Sequence, residues 1–438
     1  MNLRRDVMAL GLRVLNRFAG APAVDKLGLR KSSEKAIYQA SKLGFRSATA
    51  AARSFSSVQK LVRPARLPKN SSNGLFDLTP SEEQVMLREA AQSFALERLR
   101  PAAAAADTAC AAPADLLKES ADLGIALIGI SEALGGAGSE RAAMTNVLVA
   151  EAMAQGDMGL AVACLAPAAV STALSLWGNE EQQAKYLPAF TGDNSPAAAL
   201  AVQESRPLFD PFVLQTQARR VADGYVLQGV KSLVPRAAEA ELFIIAAQLE
   251  GVGPALFIVE SSAAGLSIEA EPAMGLRAAS TARVLLNDVK LPSTALIGEG
   301  SAEVYAECIQ LSRIAWSALA TGTAQAVLDY VIPYVNERVA FGEPISHRQS
   351  VAFSVANIGI ELDSMRLLTW QAASRAERGE AFDASAALAR RLCADKGVVI
   401  GSDGVQLLGG HGFIKEHPVE RWFRDLRAAG MMEGVVLV

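Results

Sequence analysis

Histidine is nearly missing from this chain: His347, His411 and His417 are its whole complement in 438 residues. The four cysteines, Cys110, Cys164, Cys308 and Cys393, are scattered, with no CxxC pair and no His/Cys cluster at zinc-ligand spacing. No metal centre is expected, and the thiols read as reduced. Aromatics are also few, at 6%. Alanine- and leucine-rich stretches dominate instead, which favours helix. There is no excess of positive charge: the net value is -4, so the chain as a whole is not a nucleic-acid binder. No uninterrupted apolar run is long enough to cross a bilayer. No compact apolar region followed by a small-residue cleavage site opens the chain, which disfavours secretion.

The one local charge imbalance lies at the start. The first seventy residues carry fifteen lysines and arginines against Asp6, Asp25 and Glu34. Within them Val7, Leu10, Leu12, Val14, Leu15 and Phe18 suggest an amphipathic helix with arginines on its other side. Three readings stand: peripheral contact of residues 1–70 with an anionic membrane surface, an organelle transit peptide, or a solvated basic arm. Residues 64–74, with Pro64, Pro68, Asn70, Ser71, Ser72, Asn73 and Gly74, read as a linker. The first helix is expected to start at Thr79-Pro80-Ser81-Glu82-Glu83, with Thr79 as the cap. Helical periodicity follows over 87–99, 112–123, 142–155 and 160–177. Short strand patterns then appear at 225–229, 242–247, 255–259 and 283–289, with no helix-length pattern between them. Helices return over 312–335, 351–378 and 384–408. The expected organisation is a basic extension and linker at 1–75, a helical domain at 76–197, a small β domain at 198–300 and a helical bundle at 301–438. The fold class is α+β and mainly α.

The most specific segment runs from Gln406 through Gly409-Gly410-His411-Gly412-Phe413 to Glu416, Arg421 and Asp425. Paired glycines permit close backbone approach to a ligand, although taken alone they read first as a helix C-cap. The whole spacing, with Glu433-Gly434 shortly after, closely resembles the C-terminal signature of acyl-CoA dehydrogenases. The resemblance extends over roughly 78–438. It includes Leu134-Gly135-Gly136-Ala137-Gly138, Met274-Gly275-Leu276-Arg277, Glu337-Arg338-Val339-Ala340-Phe341-Gly342 and His347-Arg348-Gln349.

The resemblance implies FAD as cofactor and α,β-dehydrogenation of a fatty acyl-CoA, as in fatty-acid β-oxidation. Glu433 would be the base that takes a proton next to the thioester carbonyl. A carboxylate in dry, apolar surroundings has a raised pKa, and Met431, Met432, Val435 and Val436 are expected to supply them. Arg338 resembles the family's arginine on the FAD pyrophosphate, a role suited to a guanidinium. Phe341 and Gln349 match neighbouring cofactor positions. Gln406, Gly409 and Gly410 match residues that contact the adenosine-diphosphate end across a subunit interface. Arg313 and Gly434 fall at substrate positions, and Arg313, on an apolar helix, needs a partner. Ser312 stands where some members carry the base, which supports Glu433. Implied partners are an acyl-CoA, an electron-transferring flavoprotein and further copies of the chain in a homodimer or homotetramer. The implied location is the cytoplasm, at the inner face of the membrane, or alternatively the mitochondrial matrix.

The β domain departs from the family where the flavin ring would sit. Gln203 takes the place of a hydroxyl residue that donates to the flavin, and Phe209 that of a serine. Leu233-Val234-Pro235 replaces Trp-Ile-Thr, and Pro235 has neither N–H nor hydroxyl. Two outcomes follow: a rewired flavin site in which Gln203 and backbone groups substitute, or a flavin-degenerate, non-redox subunit or acyl-CoA-binding scaffold.

Overall fold

In the computed structural model the described residues are 78–139, 141–192 and 195–438. The basic extension, with its candidate membrane-facing helix and linker, lies outside them. Ser81, not Thr79, caps the first helix. Its hydroxyl accepts from the Gln84 N–H and the Gln84 carboxamide accepts from the Ser81 N–H, a closed capping box. Helix α1 (Glu82–Phe94) runs through a widened π-turn, Ala95–Leu99, into α2 (Arg100–Ala109). The widened turn sits just ahead of Pro101, whose ring and missing N–H disfavour a regular α-turn there. Next come α3 (Ala114–Asp122), the short α4 (Ile125–Ile128), α5 (Ala143–Gly156), α6 (Met158–Trp177) and α7 (Glu180–Thr191). Helix α6 is long and apolar enough by composition to cross a membrane, although Gly159, Pro167, Ser171, Thr172 and Ser175 interrupt its apolar run. Here it is a core helix, with 89% of its most apolar window buried.

The middle block holds seven strands: β1 (Ala198–Ala201), β2 (Gln217–Val221), β3 (Gly224–Val234), β4 (Leu242–Leu249), β5 (Gly253–Glu260), β6 (Leu266–Ala270) and β7 (Ala282–Pro292). Strand β4 pairs antiparallel with β5 along its length. On its other edge it takes β1 and then the end of β2, both in parallel. The sheet continues β2-β3-β7-β6. Side chains alternate between two cores. Leu200, Ile244, Ala246 and Leu256 face the helices; Ala199, Phe243, Ile245 and Phe257 face the sheet's own interior. Burial on both faces is why β4 reads as one apolar run rather than an alternation. Near the end of β3 the register with β7 slips between Lys231 and Val234, with Leu233 at φ 54°. Such a bulge re-aims the chain, and it falls in the segment expected to face the flavin.

The last block is built on α8 (Ala302–Glu337), a 36-residue helix capped by Ser301. It packs against α5, α9 (Gln349–Glu377) and α10 (Asp383–Leu408). The approach to α5 is closest at Gly322, where an added Cβ would lie 2.0 Å from the Glu151 carbonyl oxygen. After α10 a tight turn, Gly409–Phe413, leads to α11 (Val419–Leu426) and α12 (Ala428–Met431). Residues 432–438 then run through the core, buried throughout.

Candidate active site

Glu433 follows α12 and is held from every side. Its carboxylate accepts from Arg313 on α8, with Nη2 at 2.9 Å from Oε1 and Nε at 3.1 Å from Oε2. Arg390 on α10 approaches Oε1 to 3.7 Å and donates to the Met432 carbonyl at 2.6 Å. This corrects the expectation of dry, apolar surroundings. Met432, Val435 and Val436 are buried as supposed, but Met431 is exposed and the carboxylate faces two guanidiniums. Arg313 thus has the partner its position demanded. Arg390 was missed, although an arginine at a buried position of an alanine-rich helix was a usable signal. Burial, opposed by Glu433, lowers the Arg390 pKa.

The loop at Glu433 is fixed by its neighbour. The Gly434 carbonyl accepts from Ser312 Oγ at 2.7 Å and Trp316 Nε1 at 2.9 Å, one turn apart on α8. Gly434 has φ +73°, and a Cβ there would lie 2.5 Å from Val202 Cγ2. Val435, at φ 75°, forms an antiparallel bridge to Leu200 of β1. Ser312 therefore supports the loop rather than supplying a base.

Gln203 follows β1 and reaches the same loop. The Glu433 N–H donates to its Oε1 at 3.1 Å, so the amide expected to point at flavin holds the Glu433 backbone. Behind it lies a fully buried ion pair that the sequence reading did not find. Lys231 Nζ is 2.8 Å from Glu204 Oε1 and 3.1 Å from the Val202 carbonyl oxygen. Burial drives the Lys231 pKa down to about 8, against the pull of Glu204. Burial works against the Glu204 carboxylate too. Lys231 and the N–H groups of Gln215 and Thr216 outweigh it and hold its pKa below the ordinary value. The Ser232 hydroxyl and Leu233 N–H are taken by Glu271, at 2.9 and 2.7 Å.

The other expected cofactor residues lie apart from this loop, on the surface. Arg338 ends α8, exposed and without a carboxylate partner among the described residues. Phe341 is 95% exposed, and Gln349 begins α9 in the open. Gln406, Gly409 and Gly410 are exposed at the end of α10. At both glycines nothing lies within 4 Å of where a Cβ would sit. A guanidinium without a carboxylate partner among the described residues, an exposed aromatic ring with the Arg348 guanidinium over it and an open backbone suit a phosphate-bearing ligand laid across the surface, so this donor set fits the diphosphate end of FAD. At the ring end the fit rests on Gln203 and backbone groups, since Pro235 offers no donor and Ser232 is engaged.

Two further motif residues have structural partners. Arg421 Nε donates to Asp157 at 2.9 Å, and Arg424 holds Asp107 at 2.9 Å. Asp425 accepts the Leu276 N–H at 2.6 Å. Burial first, and Asp157 second, push its pKa up to about 7. This knot ties α11 to the first helical block and to the middle block.

Three domain families match the chain in order: acyl-CoA dehydrogenase N-terminal domain over 81–193, middle domain over 199–289 and C-terminal domain over 298–436. A probable short/branched chain specific acyl-CoA dehydrogenase of Dictyostelium discoideum is 33% identical over 365 residues, covering 81% of this chain and 87% of that protein. The structure of butyryl-CoA dehydrogenase from Megasphaera elsdenii superposes with a TM-score of 0.76 at 28% identity, covering 82% of this chain and 96% of that one. A solved FAD complex of PigA superposes with a TM-score of 0.75 at 26% identity, covering 82% and 96%.

Proposed function

Because this chain belongs to the acyl-CoA dehydrogenase family, we propose that Glu433 removes the α-proton of an acyl-CoA thioester bound against the loop 432–434. The observation that carries this reading is the fixation of Glu433 itself. Its carboxylate is oriented by Arg313, its N–H by Gln203 and its following carbonyl by Ser312 and Trp316. Bound FAD would supply the acceptor for the β-hydrogen, as hydride. The chain's own residues do the rest. The α-proton moves from carbon to a Glu433 carboxylate oxygen, and Arg313 and Arg390 accompany the change of charge there. The Glu433 N–H is the preorganised donor for the thioester oxygen; Gln203 Oε1 yields it when substrate enters. Loss of the α-proton and the β-hydride leaves an α,β-unsaturated thioester. The electrons then pass to an electron-transferring flavoprotein.

Short or branched acyl chains come first among candidate substrates, in keeping with the Dictyostelium short/branched chain relative and the butyryl-CoA dehydrogenase of like fold. Self-association is part of the same reading. Phe353, Ile360 and Leu367 recur every seven residues on α9 and are all more than half exposed. Such an apolar stripe suits a second copy of the chain.

The test is an absorption spectrum of the purified protein followed by anaerobic addition of butyryl-, isobutyryl-, octanoyl- and palmitoyl-CoA. Flavin bleaching by one of these, and its absence in Glu433→Gln, is the expected result. A colourless protein that takes up no added FAD refutes the reading.

A further inference from the structure

Two of the three histidines meet in one ring cluster that the reaction above does not use. Tyr330 and Tyr334 lie one turn apart on α8, and each binds one imidazole. Tyr330 Oη is 2.7 Å from His417 Nδ1, and Tyr334 Oη is 2.9 Å from His411 Nδ1. The two imidazoles stack, with centroids 5.4 Å apart and planes 14° from parallel. The Tyr334 ring stands edge-on to both, and Tyr330 stands edge-on to His417 and Trp422. Burial raises the Tyr330 pKa, so its phenol keeps the proton it can donate.

With both Nδ1 atoms engaged, Nε2 is the free nitrogen of each ring. Tyr334 Oη also lies 3.4 Å from the Leu408 carbonyl, and the shorter contact, to His411 Nδ1, takes its proton; a tyrosine O–H donated to Nδ1 leaves the imidazole proton on Nε2. Two N–H donors then point away from the tyrosines. Stacked rings keep their in-plane nitrogens in separate, nearly parallel planes, so they do not converge on one metal ion. They can serve neighbouring oxygens of one anion. The surroundings agree: His411 lies within the turn that contains the uncovered backbone of Gly409 and Gly410. Arg338, free of any carboxylate partner among the described residues, is one turn beyond Tyr334 on the same helix.

We propose that His411 and His417, oriented by Tyr334 and Tyr330, bind the phosphates of an adenosine-diphosphate group through Nε2. This rests on the reading of Gln406, Gly409 and Gly410 as the diphosphate end of the cofactor site. FAD and coenzyme A both carry the group, and the experiment separates them.

Deflavinated full-length protein is titrated with FAD, followed by flavin fluorescence, and separately with CoA and ADP by calorimetry. His411→Gln and His417→Gln keep a donor near the Nε2 position. His411→Asn and His417→Asn keep the tyrosine contact near Nδ1 and lose the outward donor. The expected result is a Kd for FAD raised at least about tenfold by each Asn variant, the worth of one hydrogen bond to a charged group, and changed less than about threefold by the Gln variants. Tyr334→Phe, which frees the tautomer of His411, falls between. Weakened CoA binding with unchanged FAD binding supports the site and assigns it to the thioester's nucleotide. Asn and Gln variants that bind FAD, CoA and ADP like the parent overturn the inference while leaving Glu433 and the dehydrogenase reading intact. A parent protein that binds none of the three removes both.

Discussion

Replacing Lys231 with methionine isolates the buried ion pair behind Gln203. Methionine has a similar length, so the change removes charge and hydrogen bonds with little change of shape. Glu204 keeps its two backbone donors but loses its counter-ion, and the Val202 carbonyl loses its lysine. Breaking a buried pair from one side costs about 3–5 kcal/mol. At an m-value of about 3 kcal/mol/M the urea midpoint falls by roughly 1–1.5 M. A second readout follows from the proton. The fold lowers the Lys231 pKa from 10.5 to about 8, so the unfolded chain binds that proton more tightly. Stability from this group therefore rises with pH between about 8 and 10.5, by up to about 1.36 kcal/mol per unit. The slope, measured as the difference between parent and variant, vanishes in Lys231→Met. Urea midpoints within about 0.3 M of each other and parallel pH curves would show that the pair is not the buried, charged unit described.

Gly434→Ala forces a Cβ into Val202 at a positive φ. It should displace Glu433 and slow single-turnover bleaching on the order of 100-fold while the protein stays folded by circular dichroism. Asp425, with its folded pKa raised to about 7, binds a proton more tightly folded than unfolded. Its contribution is therefore fully present below about pH 4 and is lost as pH rises through 7. Thermal midpoints of the parent should fall over pH 5–8, and those of Asp425→Asn should fall less. Ile360→Glu with Leu367→Glu places two charges in the exposed α9 stripe. Light scattering should then report single chains where the parent gives a multiple.

The helical blocks were legible because their apolar positions recur at the helical period over many turns. The strands at β3, β4, β5 and β7 were legible from β-branched and aromatic runs. Strand β1 was not: Ala198-Ala199-Leu200-Ala201 carries no β signature, and its pairing with β4 decides it. The edge strand β6, and β2 with its two arginines, are too short and polar to read. At the site, Glu433 stood out through its spacing from the glycine-rich motif. Its environment did not, because Arg390 is 43 residues away in sequence and Gln203 is 230. Lys231 and Glu204 looked like ordinary strand and loop charges, and only the packing of β1 against β3 puts them in contact. Periodicity reports which face of an element is buried; it does not report which charges meet there.

The knot at α11 also sets a timetable. Asp107 and its partner Arg424 are 317 positions apart. A ribosome adding about 5–20 residues per second needs roughly 15–60 s to cover that distance. Arg277 of the middle block comes within 3.6 Å of Asp107 earlier, but Asp157 and the second cation on Asp107 wait for Arg421 and Arg424, as the Leu276 N–H waits for Asp425. The first two blocks can therefore acquire their secondary structure during synthesis and meet through contacts of their own, such as Gln182 on the Leu296 carbonyl and Lys185 on Glu260, but Asp157 stays uncompensated until residues 419–426 emerge. The nascent chain is not fully locked over that interval, and becomes so only as the segment that carries Glu433 is about to follow.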